Sequence, residues 1–185
     1  MRLSRAVRDR ARKVRLLVMD VDGVLTDGRM ILSERGDELK AFHSHDGVAV
    51  ALAQRAGIKT AMITGETSPI AKARGAKLGV DSVVRGVRRK GETVGALCAE
   101  FDLPAEAVAY MGDDLLDVPA LQNVGLAITV SDAPAEVKSV AHVVTKACGG
   151  RGAAREAVEL ILRAQGSWRE IVGAYVRDHG GRAGP

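Results

Sequence analysis

Aromatic side chains are scarce: 185 residues hold two Phe, two Tyr and one Trp. The core must therefore be assembled from Val, Leu, Ile and Ala, a palette that suits a buried parallel sheet covered by helices. Cysteine is scarcer still, with Cys98 and Cys148 far apart and in no metal-ligand or redox spacing. That excludes a disulfide framework, and both read as core residues of a chain working in a reducing compartment. No run of roughly 18 or more apolar residues occurs, and the Arg-rich start lacks the apolar stretch of a secretory signal. The expectation is a soluble, cytoplasmic protein with no membrane partner.

An excess of one charge is also missing once the chain is divided. The formal charge is +4, but residues 1–15 hold seven of the 27 Lys and Arg and one of the 23 acids, which leaves 20 basic against 22 acidic residues elsewhere. Nucleic-acid binding calls for basic residues spread over a folded face with stacking aromatics, whereas here the excess sits in one terminal segment that has none. No nucleic-acid partner is expected, and the basic stretch reads as a solvated tail or a short amphipathic helix.

At this length one domain is expected, over residues 16–178, preceded by the basic segment 1–15 and followed by a Gly-rich, disordered tail at 179–185. Short apolar runs at 16–19, 58–63, 80–84, 108–111, 126–130 and 142–144 alternate with segments of helical period. Helices are predicted over 47–56, over 70–78 with Ser68 as N-cap and Pro69 in the first turn, and over 92–101, 115–122 and 152–164. This alternation predicts an α/β protein with a doubly wound, Rossmann-like parallel sheet. One stretch departs from it: 29–32 and 38–42 are strand-like and are joined by a polar link containing Gly36, which predicts a projecting β-hairpin after the first strand.

Four polar clusters follow apolar runs, at the edge where open α/β sheets bind ligands. The first is Asp20-Val21-Asp22-Gly23-Val24-Leu25-Thr26-Asp27-Gly28. Carboxylates two residues apart near a strand end can point to a common side, where their charge is costly unless a cation joins them. A lone D-x-D is matched by many surface turns, whereas the string D-x-D-G-x-x-T-D is far more specific. The second, Thr64-Gly65-Glu66, precedes a proline-started helix and offers a hydroxyl and backbone N–H groups to a phosphate. Alone it reads equally as a helix cap. The third, Lys90, stands beside Arg85, Arg88 and Arg89, and spacing does not single it out from a solvated charge run. The fourth, Gly112-Asp113-Asp114-Leu115-Leu116-Asp117, gathers three acids in five residues and favours a hard cation bound by oxygen, Mg²⁺ first. Acids at a helix start also stabilise its dipole, which explains Asp114 or Asp117 better than all three together.

In order, the acid pair, the Thr, the Lys and G-D-D-x-x-D resemble the four motifs of haloacid dehalogenase (HAD)-type phosphatases, over residues 16–165. The string at 20–28, the segment 42–47 ending in Asp46-Gly47, 112–117 and Gly149-Gly150-Arg151-Gly152-Ala153 resemble the 3-deoxy-D-manno-octulosonate 8-phosphate (KDO 8-phosphate) phosphatase family, typically capless and tetrameric. The resemblance implies an HAD-like fold and a Mg²⁺-dependent phosphatase acting on a sugar-acid phosphate. Asp20 would be the nucleophile that forms an aspartyl-phosphate and Asp22 the acid and then the base. Thr64 and Lys90 would bind the phosphoryl oxygens, and Asp20, the Asp22 carbonyl and Asp113 would hold Mg²⁺. Asp114 and Asp117 would orient Lys90 or metal-bound water. Neither 27–58 nor 64–90 has room for a cap domain, so the resemblance also implies a homotetramer in which a neighbouring chain closes each site.

The departures from that family concern specificity. Glu66 stands where these phosphatases usually have Arg, a side chain suited to a sugar-acid carboxylate. An acid there calls for a cation, and Lys77, about three helical turns further on, is the candidate. This Glu and Lys combination resembles phosphatases of nine-carbon keto acids, so nonulosonate 9-phosphates stay open beside the eight-carbon substrate. Thr64, Gly65, His45, Asp46, Gly47 and Arg151 complete the substrate-binding candidates. His45 reads equally as a surface residue of the hairpin base, and Arg151 as an ordinary helix-start arginine. Phosphorelay receiver domains gather similar residue types but place the phosphoacceptor on a middle strand, whereas here D-x-D-G-x-x-T opens the site and G-D-D closes it.

Overall fold

The apolar runs become strands of a six-stranded sheet in a computed structural model that describes residues 4–36 and 38–182. Strand β1 (Leu16–Asp20) is followed by a hairpin of β2 (Ile31–Leu32) and β3 (Glu38–Leu39). Then come β4 (Lys59–Ile63), β5 (Ser82–Val84), β6 (Val108–Gly112), β7 (Leu126–Thr129) and β8 (Val143–Val144). The order β5-β4-β1-β6-β7-β8 is parallel throughout. Every residue of β1 and β6 is buried, which is why both read as unbroken apolar runs rather than as alternation.

Among the described residues eight α-helices accompany the sheet: α1 (Arg5–Arg12), α2 (Ser44–Arg55), α3 (Pro69–Leu78), α4 (Lys90–Glu100), α5 (Val118–Leu121), α6 (Ala135–Val140), α7 (Ala153–Gln165) and α8 (Trp168–Asp178). On one face α2 packs against α7, and α7 against α1 and α8; on the other α5 packs against α4 and α6. The chain winds outward from β1 to β4 and β5, then returns through α4 to β6 on the far side of β1. Right-handed crossovers put the helices of the two halves on opposite faces, and the reversal opens a crevice at the carboxyl ends of β1 and β6. Among the described residues the hairpin is the insertion that follows β1, and no cap domain covers that crevice.

Local chemistry explains the boundaries. The Ser68 side chain accepts from the Ile70 N–H, Pro69 opens α3, and Gly79 closes it at φ 65°. The helix predicted over 115–122 is instead a single tight turn, Leu115–Asp117, followed by α5, because Pro119 is tolerated only in a first turn. The hairpin pairs just Ile31 with Leu39 and Leu32 with Glu38, shorter than the predicted 29–32 and 38–42. A free two-stranded ribbon without a sheet to lie on gains little from further pairing.

The basic amino-terminal segment folds as α1 and docks through buried Ala11. Arg10 donates to the Gly125 carbonyl at 2.8 Å and Arg12 to the Ala164 carbonyl at 3.1 Å. At the other end, the expected disordered tail 179–185 lies partly outside the described residues. Gly181 still donates to the Val176 carbonyl at 2.9 Å. Among the described residues no helix is long and apolar enough to cross a membrane.

Candidate active site

Parallel register brings the clusters together. Met19 lies opposite Met111 and Asp20 opposite Ile63, so Asp20, Asp113 and Thr64 leave the sheet along one edge. The chain turns sharply after Asp22 through Gly23 at φ 92°, where a Cβ would stand 2.0 Å from Asp113 Oδ2. Only glycine permits that approach. Thr26 knits the loop, its hydroxyl donating to the Val21 carbonyl and accepting from the N–H groups of Gly23 and Gly28.

Burial separates Lys90 from its basic neighbours: Arg85, Arg88 and Arg89 are exposed, whereas Lys90, the first residue of α4, is buried. Its ammonium donates to Asp117 Oδ1 at 2.6 Å and lies 2.9 Å from Asp20 Oδ1, an ion pair without hydrogen-bond alignment. Asp117 is fully buried. It also accepts from the Tyr110 hydroxyl at 2.5 Å and from the backbone N–H groups of Asp113 and Asp114 at 3.0 and 3.1 Å. Four donors occupy its two oxygens, which makes it the anchor of Lys90 and of the loop after β6.

Asp20 and Asp113 are less well served. Burial first, and then the Asp117 charge, push the Asp20 carboxyl well above the usual carboxylate range, against the pull of Lys90. The same two causes push Asp113 up to about 7. Asp113 Oδ1 is buried without any hydrogen-bond partner. Asp20, Asp113 and Asp117 each present an oxygen within 4.8 Å of the others, but Asp117 is already saturated by donors. Asp20 and Asp113 thus fit a hard divalent cation of oxygen preference, whose charge would relieve both.

Asp22 sits beside this pair. Its Oδ2 accepts from the Thr64 hydroxyl at 2.8 Å, and its Oδ1 pairs with the ammonium of Lys40, just beyond β3. Burial opposes the charge on Lys40, but Asp22 and Glu38 together raise its pKa and keep it cationic. Sequence reasoning missed Lys40 and Tyr110. A lysine on a hairpin reads as solvated and a tyrosine in an apolar run reads as core; the only clue was that a buried Tyr hydroxyl needs a partner.

The substrate-binding candidates scatter more widely. Arg151, Gly150, Asp27, Ala41, Phe42 and His43 line a cleft of about 300 Å³ at the mouth. The turn at Gly149 and Gly150 rests on the loop after β1, with Gly150 N–H donating to the Val24 carbonyl at 2.8 Å. Asp46 is buried and accepts from the N–H groups of Gly152 and Arg155, so it caps α7. Gly47 leaves space for Arg74, whose Nη2 would be 3.0 Å from an added Cβ. His45 is exposed and meets the His43 ring edge-on. Asp114 is exposed and its side chain accepts from the Leu115 N–H, a cap for the following turn.

Glu66 and Lys77 were expected as an acid and a compensating cation at the substrate carboxylate. Both are exposed, no ion pair joins them among the described residues, and α3 separates Lys77 from the first turn by roughly 12 Å of helix rise.

A family model described as haloacid dehalogenase-like hydrolase matches residues 77–155. The chain is 40% identical over 174 residues to 3-deoxy-D-manno-octulosonate 8-phosphate phosphatase KdsC of Escherichia coli strain B / BL21-DE3, covering 94% of this chain and 93% of that protein. Among solved structures, a 3-deoxy-D-manno-octulosonate 8-phosphate phosphatase from Moraxella catarrhalis, in complex with a magnesium ion, a phosphate ion and a KDO molecule, superposes with a TM-score of 0.89 at 33% identity. That match covers 91% of this chain and 97% of the other. A probable YrbI family phosphatase from Pseudomonas syringae pv. phaseolica superposes with a TM-score of 0.90 at 41% identity, covering 93% and 98%.

Proposed function

The chain belongs to the 3-deoxy-D-manno-octulosonate 8-phosphate phosphatase family of haloacid dehalogenase-like hydrolases, and on that premise we propose that it hydrolyses this sugar-acid phosphate through a phosphoaspartate on Asp20. The observation that carries the reading is the crevice between β1 and β6. There a buried carboxylate faces Lys90 beside Asp113, whose buried oxygen has no partner.

Mg²⁺, the cofactor, would be held by Asp20, the Asp22 carbonyl and Asp113, where it offsets repulsion between the nucleophile and the phosphoryl group. An Asp20 oxygen attacks phosphorus while the bond to the sugar oxygen breaks, and the Asp22 proton goes to that leaving oxygen. Water then attacks the phosphoaspartate, its proton passes to Asp22, and the bond between Asp20 and phosphorus breaks to release inorganic phosphate. Lys90 and Thr64 bind the phosphoryl oxygens, and Asp117 holds Lys90 in place. Arg151 and the 300 Å³ cleft receive the sugar acid.

The exposed apolar tip of the hairpin supports a homotetramer in which hairpins associate and a neighbour closes each site. Met30, Ile31, Leu32 and Leu39 are 49, 48, 68 and 64% exposed. Free Cys98 and Cys148 suit the reducing cytoplasm.

Asp20→Asn is expected to lower turnover by about 10⁴-fold or more with the fold intact, and unimpaired turnover refutes the mechanism. A comparison of kcat/KM on the eight-carbon 8-phosphate and a nine-carbon 9-phosphate tests the substrate. Preference for the eight-carbon ester is expected, and a higher value on the nine-carbon ester overturns it. Repeating it with Glu66→Arg assigns or removes Glu66 as a source of that preference.

A further inference from the structure

One side chain ties the hairpin to the crevice. Lys40 follows β3 on the segment that projects from the sheet, yet its side chain is only 2% exposed. Its ammonium pairs with Asp22 Oδ1 and lies 3.1 Å from Glu38 Oε1, while Asp22 Oδ2 takes the Thr64 hydroxyl. Both Asp22 oxygens therefore accept in this structure, one from the sheet edge and one from the hairpin, and a Thr64 hydroxyl turned to a phosphoryl oxygen would leave the Lys40 contact to orient the carboxyl. Lysines are almost never buried unless paired, and a part-buried ion pair adds little net stability, so stability alone does not account for this one. What it does supply is geometry: a donor carried by the hairpin orients the Asp22 carboxyl.

We propose that Lys40 is a positioning residue that sets the Asp22 carboxyl for protonation of the leaving sugar oxygen, so that proton transfer requires a docked hairpin. The inference rests on the reading of Asp22 as the acid. It makes the pairing of Leu32 with Glu38, next to the exposed apolar tip, part of the catalytic apparatus at one remove. A neighbour that covers the tip then favours the docked hairpin and with it the active orientation of Asp22.

The test compares two leaving groups. The sugar alkoxide needs a proton, whereas the phenolate of p-nitrophenyl phosphate leaves without one, and kcat/KM reports the step in which the leaving group departs. Lys40→Met is expected to lose about tenfold or more on the sugar ester and under about threefold on the aryl ester, with Lys40→Arg recovering part of the loss. Asp22→Asn combined with Lys40→Met should be no worse on the sugar ester than Asp22→Asn alone. Equal losses on the two esters, or an additive double variant, overturn the proposal and make Lys40 a phosphate ligand or a scaffold residue.

Should Lys40→Met fail to fold, Lys40→Arg and Glu38→Gln carry the same comparison. A smaller loss confined to the sugar ester is expected, and no selectivity in either variant overturns the proposal. Asp22→Asn separates the two levels of argument. If it shows no leaving-group selectivity, the acid assignment falls and Lys40 with it; if it does and the Lys40 variants do not, only the Lys40 inference falls.

Discussion

At the ends of β1 and β6, Asp20, Asp113 and Asp117 are placed by a parallel register that buries every residue of both strands, whereas Lys40 reaches Asp22 from a hairpin of two residue pairs with an exposed apolar tip. The strand-end cluster is over-determined. Asp117 alone is tied by a lysine, a tyrosine and two backbone N–H groups, and its position cannot change without breaking several of those bonds. The hairpin is tied to the sheet edge through the Lys40–Asp22 pair, and Lys40 also pairs with Glu38 within the hairpin.

Breaking the rigid side should have the largest effect. Asp117→Ala leaves a buried ammonium, a phenol and two N–H groups without their acceptor. Unfolding in denaturant should show a loss of about 3–5 kcal/mol, with turnover nearly gone. A loss below about 1 kcal/mol would mean that the cluster is not the rigid half of the comparison.

Metal binding sharpens the same contrast through pH. The Asp20 and Asp113 carboxyls have folded-state pKa values raised above their unfolded ones, Asp113 up to about 7. Their protonated forms therefore suit the metal-free fold at low pH, and that stability is lost as pH rises through about 7. A cation reverses the balance, because Asp113 must give up its proton to bind it. The Mg²⁺ concentration for half-maximal activity should fall by up to about tenfold per unit as pH rises from about 6 to about 7, then level off. A metal requirement flat across that range would remove Asp113 as a ligand.

The smallest effect on the folded chain is expected at the hairpin. Leu32→Asp should change the stability of a single chain by no more than about 0.5 kcal/mol, since the side chain is 68% exposed. In sedimentation it should dissociate the assembly, and activity on the sugar phosphate should fall several-fold. A monomer that keeps full activity would show that the hairpin acts without its neighbours.

The contrast also governs what could be read from residues alone. The sheet was legible because buried parallel strands are unbroken apolar runs, and α3 was legible because Ser68, Pro69 and Gly79 mark its ends. Asp20, Asp22, Thr64, Lys90, Asp113 and Asp117 were named from the sequence, and the structure brings all six to one crevice. The capping contact of Asp46 with α7 was not legible, because an acid at a helix start looks the same whether it faces a substrate or caps another helix. For Lys77 the limit is related: counting turns along α3 gives a separation and not a partner.

The sequence by itself determined the alternation of strands and helices, the glycine at position 23 and the identity of the acids, since each follows from local propensity or from residue chemistry at a strand end. Tertiary structure alone decided which lysines matter. Burial sets Lys90 apart from Arg89: Lys90 opens α4 with its side chain buried, whereas Arg89, the N-cap, is exposed. Lys40 became part of the site only because the hairpin folds back on Asp22. A side chain's charge is written in the sequence, but the partner that keeps that charge buried comes from a distant part of the chain.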